Sequence, residues 1–306
     1  MKNNVNIIIM ILFIISVILG FAIIIQRRID IGKMPIKHKK DKIAIIDLRG
    51  EIFYADVPRA MLKKDVEYYV EKLSSLFQRS DVKGIVLKIN SPGGSVAAVQ
   101  RLYNQIIKMK QQYKKPIVCY VPELCASGGY YVAVACDKII CAEGSVVGSI
   151  GVLLQVGNIN GLLKKIGVNV EIIKSSKYKD MGSPFRDMLP EEKKMFQDLV
   201  NAAYEQFIAA IEKGRNLDRQ DILKFADGGI YIANKAFELK MVDGVGDENV
   251  AIDEVKKITK IEEVEILREK TSFIDVLRQA MEERQQKISG MTKFIRQKFA
   301  FEYMLE

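Results

Sequence analysis

Ser127 and Lys179 could do chemistry together in a chain that has one histidine. Ser127 lies in Cys125-Ala126-Ser127-Gly128-Gly129-Tyr130-Tyr131, and Lys179 in Tyr178-Lys179-Asp180-Met181-Gly182. The single histidine, His38, sits in a lysine cluster beside an apolar N-terminal segment. A serine nucleophile on this chain would recruit either that histidine or a neutral lysine, a known variant of the nucleophile–base pair. Upstream, Asn90-Ser91-Pro92-Gly93-Gly94-Ser95 offers bare backbone amides that could hold an oxyanion. Each motif also has a plainer reading. Ser127 could be only a helix N-cap, Gly93-Gly94 only a turn, and Lys179 a solvated loop lysine. Cys125 is a weak rival nucleophile, because a reactive cysteine needs a histidine or a cationic neighbour.

The elements that would position these residues follow from hydrophobic periodicity. Residues 43–48 read as a first strand and 58–79 as an amphipathic helix. Residues 84–89 form a buried strand that runs into the Ser91–Gly94 turn. A helix follows from 95 or 96 to 110. Residues 116–121 are the next strand, then come the Ser127 turn and a short apolar helix through 135. Two strand–turn–helix units with glycine-rich turns therefore stand in series. Short strands are expected at 138–141, 151–156 and 168–174, with a loop over 175–189. A helix opens at Pro190-Glu191-Glu192 and runs to 213. A small motif over 228–247, a helix near 250–257 and a strand near 264–267 complete the region.

Residues 5–25 carry no charge and only two polar interruptions, Asn6 and Ser16. Twenty-one residues of helix span roughly 30 Å, the thickness of a bilayer's hydrocarbon core. The stretch is longer than a signal-peptide core and lacks an A-x-A-like site, so an uncleaved anchor is expected. The segments expected are a flank 1–4, an anchor 5–25, a basic linker 26–42, a folded domain 43–271 and an amphipathic tail 272–306. Net charge is +9, but residues 1–42 hold eight Lys/Arg against two Asp. The remaining 39 basic and 36 acidic residues nearly balance, which argues against a nucleic-acid partner. Taken alone, the basic flank after the anchor would keep the domain in the cytoplasm. The four cysteines, Cys119, Cys125, Cys136 and Cys141, have no C-x-x-C spacing and no nearby histidine. They read as buried thiols rather than a zinc site, and no cofactor or metal is expected.

Taken in order, Asn90 to Val96, Ala126 to Tyr131, Gly148-Ser149-Ile150-Gly151-Val152, Tyr178-Lys179-Asp180 with Ser183-Pro184-Phe185-Arg186, and Gly229 to Ala233 resemble the signal peptide peptidase A family of membrane serine peptidases. The likeness covers roughly residues 43–260 and corresponds to the short form with one peptidase domain. It implies an α/β fold like that of the caseinolytic protease and crotonase superfamily, a superhelix of stacked β–β–α units after one transmembrane helix. It implies Ser127 as nucleophile, Lys179 as general base, Ser149 as the serine that orients the lysine, and Gly94 as the oxyanion-hole glycine. It also implies hydrophobic peptide substrates such as cleaved signal peptides, a domain outside the cytoplasm, and a homo-oligomeric ring in which adjacent subunits can share the serine and the lysine. Asp180 and Asp187 read as loop or interface residues, since a carboxylate beside the lysine would raise its pKa. Two other functions fit the same fold: a crotonase-like acyl-CoA enzyme and a non-catalytic membrane scaffold. The apolar end, 299–305, is either a docking segment or a product-like inhibitor of the active site.

Overall fold

The computed structural model describes residues 14–20, 40–55, 64–269 and the backbone of 302–303. Residues 1–40 and 41–306 form separate units. Of the expected anchor 5–25, only 14–20 falls among the described residues. That stretch is helical, and its Ile14, Ile15, Val17, Ile18 and Leu19 are exposed. Among the described residues no helix is long and apolar enough to cross a membrane, so the transmembrane helix is not carried by the structure.

In the second unit, six strands form one parallel sheet in the order β10-β1-β2-β4-β6-β9. The central members are β1 (Lys42–Arg49), β2 (Val82–Asn90), β4 (Ile117–Val121) and β6 (Lys138–Cys141). β9 (Gly244–Val245) and β10 (Glu265–Arg268) lie at the edges. The strands alternate between two cores. Ile43, Ile45, Val86, Val118, Tyr120 and Ile140 face helix α8 (Glu248–Thr259) through Ala251, Ile252 and Val255. Ala44, Ile46, Leu48, Ile85, Leu87 and Ile89 face the larger core. That core is closed by α1 (Val66–Gln78), α2 (Val96–Tyr113), α3 (Gly128–Ala133) and the buried face of α5 (Pro190–Arg215). Burial on both sides explains why these strands read as continuous apolar runs.

Short strands step out of this sheet. β2 leads through β3 (Gly94–Ser95) into α2, and β4 leads through β5 (Leu124–Ala126) into α3. β5 pairs in parallel with β7 (Val146–Gly148), which pairs antiparallel with β8 (Ile230–Ile232). Parallel bridges Ile52–Gly94 and Ser91–Cys125 continue the stacking from one unit to the next. The result is a series of β–β–α units whose short second strands form their own layer. All four cysteines are buried, Cys119 and Cys141 on the main sheet, Cys125 on β5 and Cys136 in the turn between α3 and β6.

The strands expected at 151–156 and 168–174 are absent. Residues 149–159 and 166–189 have no regular structure apart from turns and an isolated bridge, and α4 (Asn160–Lys165) interrupts them. Their apolar residues are periodic enough to suggest strands, but among the described residues no strand ladder forms along them. Leu162, Ile166, Val168 and Ile173 are exposed instead, Ile173 at 95%. Helix α1 starts at Val66, capped by the Asp65 carboxylate, which accepts from Tyr68 N at 3.0 Å. The first part of the helix expected at 58–79 lies mostly outside the described residues. The small motif at 228–247 contains β8, α7 (Ala233–Glu238) and β9, preceded by the single turn α6 (Arg219–Ile222).

Candidate active site

Ser127 joins β5 to α3 with φ 50° and ψ −118°. A serine in that region is strained, and such strain persists only where the surroundings hold it. Its side chain makes no capping hydrogen bond, so the residue is not an ordinary N-cap. Its backbone N–H donates to Gly148 O at 2.7 Å, and its carbonyl accepts from Tyr131 N at 3.0 Å. Tyr130 behind it is fully buried and donates its hydroxyl to Met241 O at 2.8 Å. Ser127 itself is 1% exposed in one chain.

The turn before β3 is bolted to the same strand. Ser91 N donates to Leu124 O at 2.9 Å, and Ser91 O accepts from Ala126 N at 3.0 Å. Ser91 Oγ accepts from Gly93 N at 3.1 Å. On the other side, Ile52 N donates to Gly93 O at 2.7 Å and Ser95 N donates to Ile52 O at 3.0 Å. A Cβ at Gly94 would run into the Ile52 backbone, and one at Gly129 would lie 2.9 Å from Ser91 O. Both glycines are therefore required for the close approach of three chain segments. The free edge of β3 accepts an extended chain: β11 (Glu302–Tyr303) pairs with it antiparallel, Tyr303 opposite Gly94 and Glu302 opposite Ser95. β11 also comes within 8 Å, Cα to Cα, of α3. The rest of the apolar end and of the tail lies outside the described residues.

Ser149 follows β7 with φ 50° and donates its N–H to Gly229 O at 2.7 Å. Since Gly148 O receives the Ser127 N–H, the two serines sit on touching backbone segments. Ser149 borders a cleft of about 420 Å³ that is also lined by Val152, Leu153, Val200, Tyr204 and Asp227.

Lys179 is placed differently. It lies on an exposed turn in the irregular arm between β7 and α5. Among the described residues, no hydrogen bond joins its ammonium to Ser127 or Ser149. Ser127, Ser149 and Gly94 thus lie on segments joined by backbone hydrogen bonds and bridges, whereas Lys179 is exposed on a separate arm. The turn is nevertheless braced. Asp180 accepts from Arg186 Nε and Nη2 at 2.8 Å each, and from Lys174 Nζ at 2.6 Å. Arg186 also donates to both oxygens of Glu192, at 2.8 and 2.5 Å. Glu192 is fully buried in the first turn of α5 and accepts Leu189 N at 2.9 Å. The Arg186 guanidinium holds the Glu192 carboxyl below its usual range despite burial. Asp187, the other acid near the lysine, accepts from Asn158 Nδ2 at 2.7 Å.

Cys125 is fully buried on β5, two residues before Ser127. Burial pushes the Cys119 thiol up, and the Cys141 thiol to about 12. Ser91, Arg186 and Glu192 are the residues that sequence reasoning left without a role. Ser91 and Arg186 lie inside the motifs that carry the resemblance, whereas Glu192 is visible only as an acidic first turn.

A family model described as peptidase family S49 matches residues 109–262, and one described as ClpP-like SDH-type serine proteinase matches residues 2–180. A putative protease of Methanocaldococcus jannaschii is 37% identical over 270 residues, covering 87% of this chain and 86% of the relative. A putative signal peptide peptidase of Enterococcus faecium is 35% identical over 233 residues, covering 75% and 67%. Among solved structures, a mutant membrane-bound stomatin-specific protease in complex with a substrate peptide superposes with a TM-score of 0.50. That match is 17% identical and covers 80% of this chain and 99% of the other, a likeness of fold.

Proposed function

Because this chain belongs to peptidase family S49 and is a serine-type endopeptidase, we propose that it is membrane-anchored, uses a Ser127–Lys179 dyad and cleaves hydrophobic peptides such as signal-peptide remnants. The observation that carries the site reading is the strained Ser127 turn, tied by backbone hydrogen bonds to Gly148 and set beside a strand edge that already accepts an extended chain. A substrate would add to β3 in the same way, with its side chains alternating and its backbone held by the strand.

In this reading, neutral Lys179 Nζ takes the Ser127 Oγ proton as Oγ attacks the scissile carbonyl. Ser149 orients the amine, and the Gly94 N–H helps to hold the oxyanion. Collapse breaks the C–N bond, and the lysine returns its proton to the leaving amine. Water then attacks the acyl-serine, giving its proton to Lys179, and serine is released with the acid product. A lysine in water has a pKa near ~10.4 and is mostly charged at neutral pH. Covering by a neighbouring subunit would disfavour that charge.

The exposure of Lys179 in one chain supports a ring in which its arm reaches the Ser127 of an adjacent copy. The exposed aliphatic residues 162–173 along that arm are surface such a contact would bury. The anchor rests on the uncharged run 5–25 and places the enzyme near bilayer peptides. We place the peptidase domain outside the cytoplasm, as in the resembled family. Long domains cross despite a basic flank. In the tail, the pairing of 302–303 with β3 supports the product-like inhibitor over the docking segment.

The test is hydrolysis of an apolar fluorogenic peptide by the full chain in detergent. Ser127→Ala and Lys179→Ala should each lower the rate at least ~1,000-fold, and the double variant should be no worse than either. His38→Ala should retain the rate. Full activity of Lys179→Ala would overturn the dyad.

A further inference from the structure

We infer that Arg186, with Lys174, is a positioning residue that sequesters the Asp180 carboxylate from Lys179 and so keeps the neighbouring lysine able to act as a base. The inference rests on the proposed role of Lys179. Asp180 follows Lys179 directly in the chain, and an unshielded carboxylate at that place would stabilise the ammonium and raise the pKa of the base. Here the carboxylate is paired on both oxygens. Arg186 grips both oxygens in a fork, and Lys174 takes Oδ1 as well. The forked geometry belongs to arginine and would not be reproduced by lysine.

The grip is itself anchored. The far side of the same guanidinium is bound to Glu192, a fully buried carboxylate on the first turn of α5. Arg186 also donates to Asp187 O at 3.0 Å. The charged groups around the turn are thus accounted for. Lys174, Arg186 and Glu192 belong to the Asp180 network. Lys177 pairs with Glu191 at 3.2 Å, and Asp187 is engaged by Asn158. Two cations on one carboxylate leave Asp180 well below its ordinary titration range. It therefore stays ionised wherever the enzyme works, and shielding by pairing is the means left to silence it.

The experiment is the pH profile of kcat/KM for the full chain with the apolar peptide, in which the rate rises as the base loses its proton. Arg186→Gln should move the midpoint up by about one pH unit, since an opposite charge within a few ångströms shifts a pKa by 1–3 units. Lys174→Met should move it up by less. Asp180→Asn should leave the midpoint in place or lower it. Asp180→Asn combined with Arg186→Gln should bring the midpoint back to, or below, that of the unmodified chain. If Arg186 merely holds the loop together, the double variant stays as impaired as Arg186→Gln and the midpoint does not move; either result overturns the inference. If Arg186→Gln does not fold, the other two single variants decide: an upward shift in Asp180→Asn, or none in Lys174→Met, sinks it. Lys179→Ala is run alongside. Full activity there is the failure of the dyad, and is distinct from an unmoved midpoint with Lys179→Ala inactive.

Discussion

The Ser127 turn and the Lys179 arm are two halves of one proposed site, and they are built in opposite ways. The first is held by the core. Ser127, Ser91, Tyr130 and Cys125 are buried, and backbone hydrogen bonds from three segments converge on the turn. The second is held by charge. Lys179 is exposed, its arm forms no strand ladder among the described residues, and its turn is braced by the Asp180–Arg186–Glu192 bridge. The difference teaches that one chain preorganises the proposed nucleophile and oxyanion half of the site, where strain and amide geometry must be fixed. The half proposed to supply the base lies on an exposed arm.

Breaking the rigid half should have the largest effect. Gly94→Ala puts a methyl group against the Ile52 backbone and displaces the proposed oxyanion amide. Losing one oxyanion donor costs ~10²–10³ in kcat, so steady-state assays should register a fall of that order. The surface half should break by a different route. Ile173→Asp places a charge on a residue that is 95% exposed in one chain. Light scattering should report smaller oligomers and the peptidase rate should fall about tenfold or more, while the melting temperature of the domain stays nearly constant, because surface changes are usually within ~0.5 kcal/mol. If size and rate are both unchanged, the arm is not a contact.

Finer changes sharpen the contrast. Ser91→Ala leaves the Gly93 N–H without its acceptor. An orphaned buried donor costs about 1–3 kcal/mol, and kcat should fall about tenfold with KM little changed. A change confined to KM would remove Ser91 from the oxyanion turn. The smallest effect concerns acid. The Glu192 carboxyl is depressed by Arg186, so its contribution is complete above the ordinary glutamate range and is lost as pH falls through the lowered value. Protection factors of residues 175–190 should therefore fall on acidification below the ordinary glutamate range while the amides of β2 and β4 stay protected. Equal protection of both regions would contradict the division.

The same division governs what was legible in the sequence. The strands at 43–48, 84–89, 116–121 and 138–141 are readable because burial on both faces leaves unbroken apolar runs. Ser127 and Gly94 are readable because their glycine-rich turns stand at the ends of such strands. The arm misleads. Val168, Val170, Ile172 and Ile173 look like a strand, yet they are exposed and, among the described residues, join no strand ladder. Apolar periodicity reports that a surface will be covered and not by whom. Arg186 and Glu192 were hidden because their roles come from a fork between a loop and a helix start, which has no period to read. Ser91 is inconspicuous in the sequence because it stands in a motif whose glycines carry the pattern.

The most direct test of a site shared between copies is complementation. Full chains carrying Ser127→Ala and Lys179→Ala, each inactive alone, are dissociated, mixed in equal amounts and reassembled. In a ring of random neighbours, about one site in four joins an intact serine to an intact lysine, and activity should return to about a quarter of the unmodified level. A mixture that reassembles to the same size and stays inactive would place serine and lysine in the same chain and contradict the account.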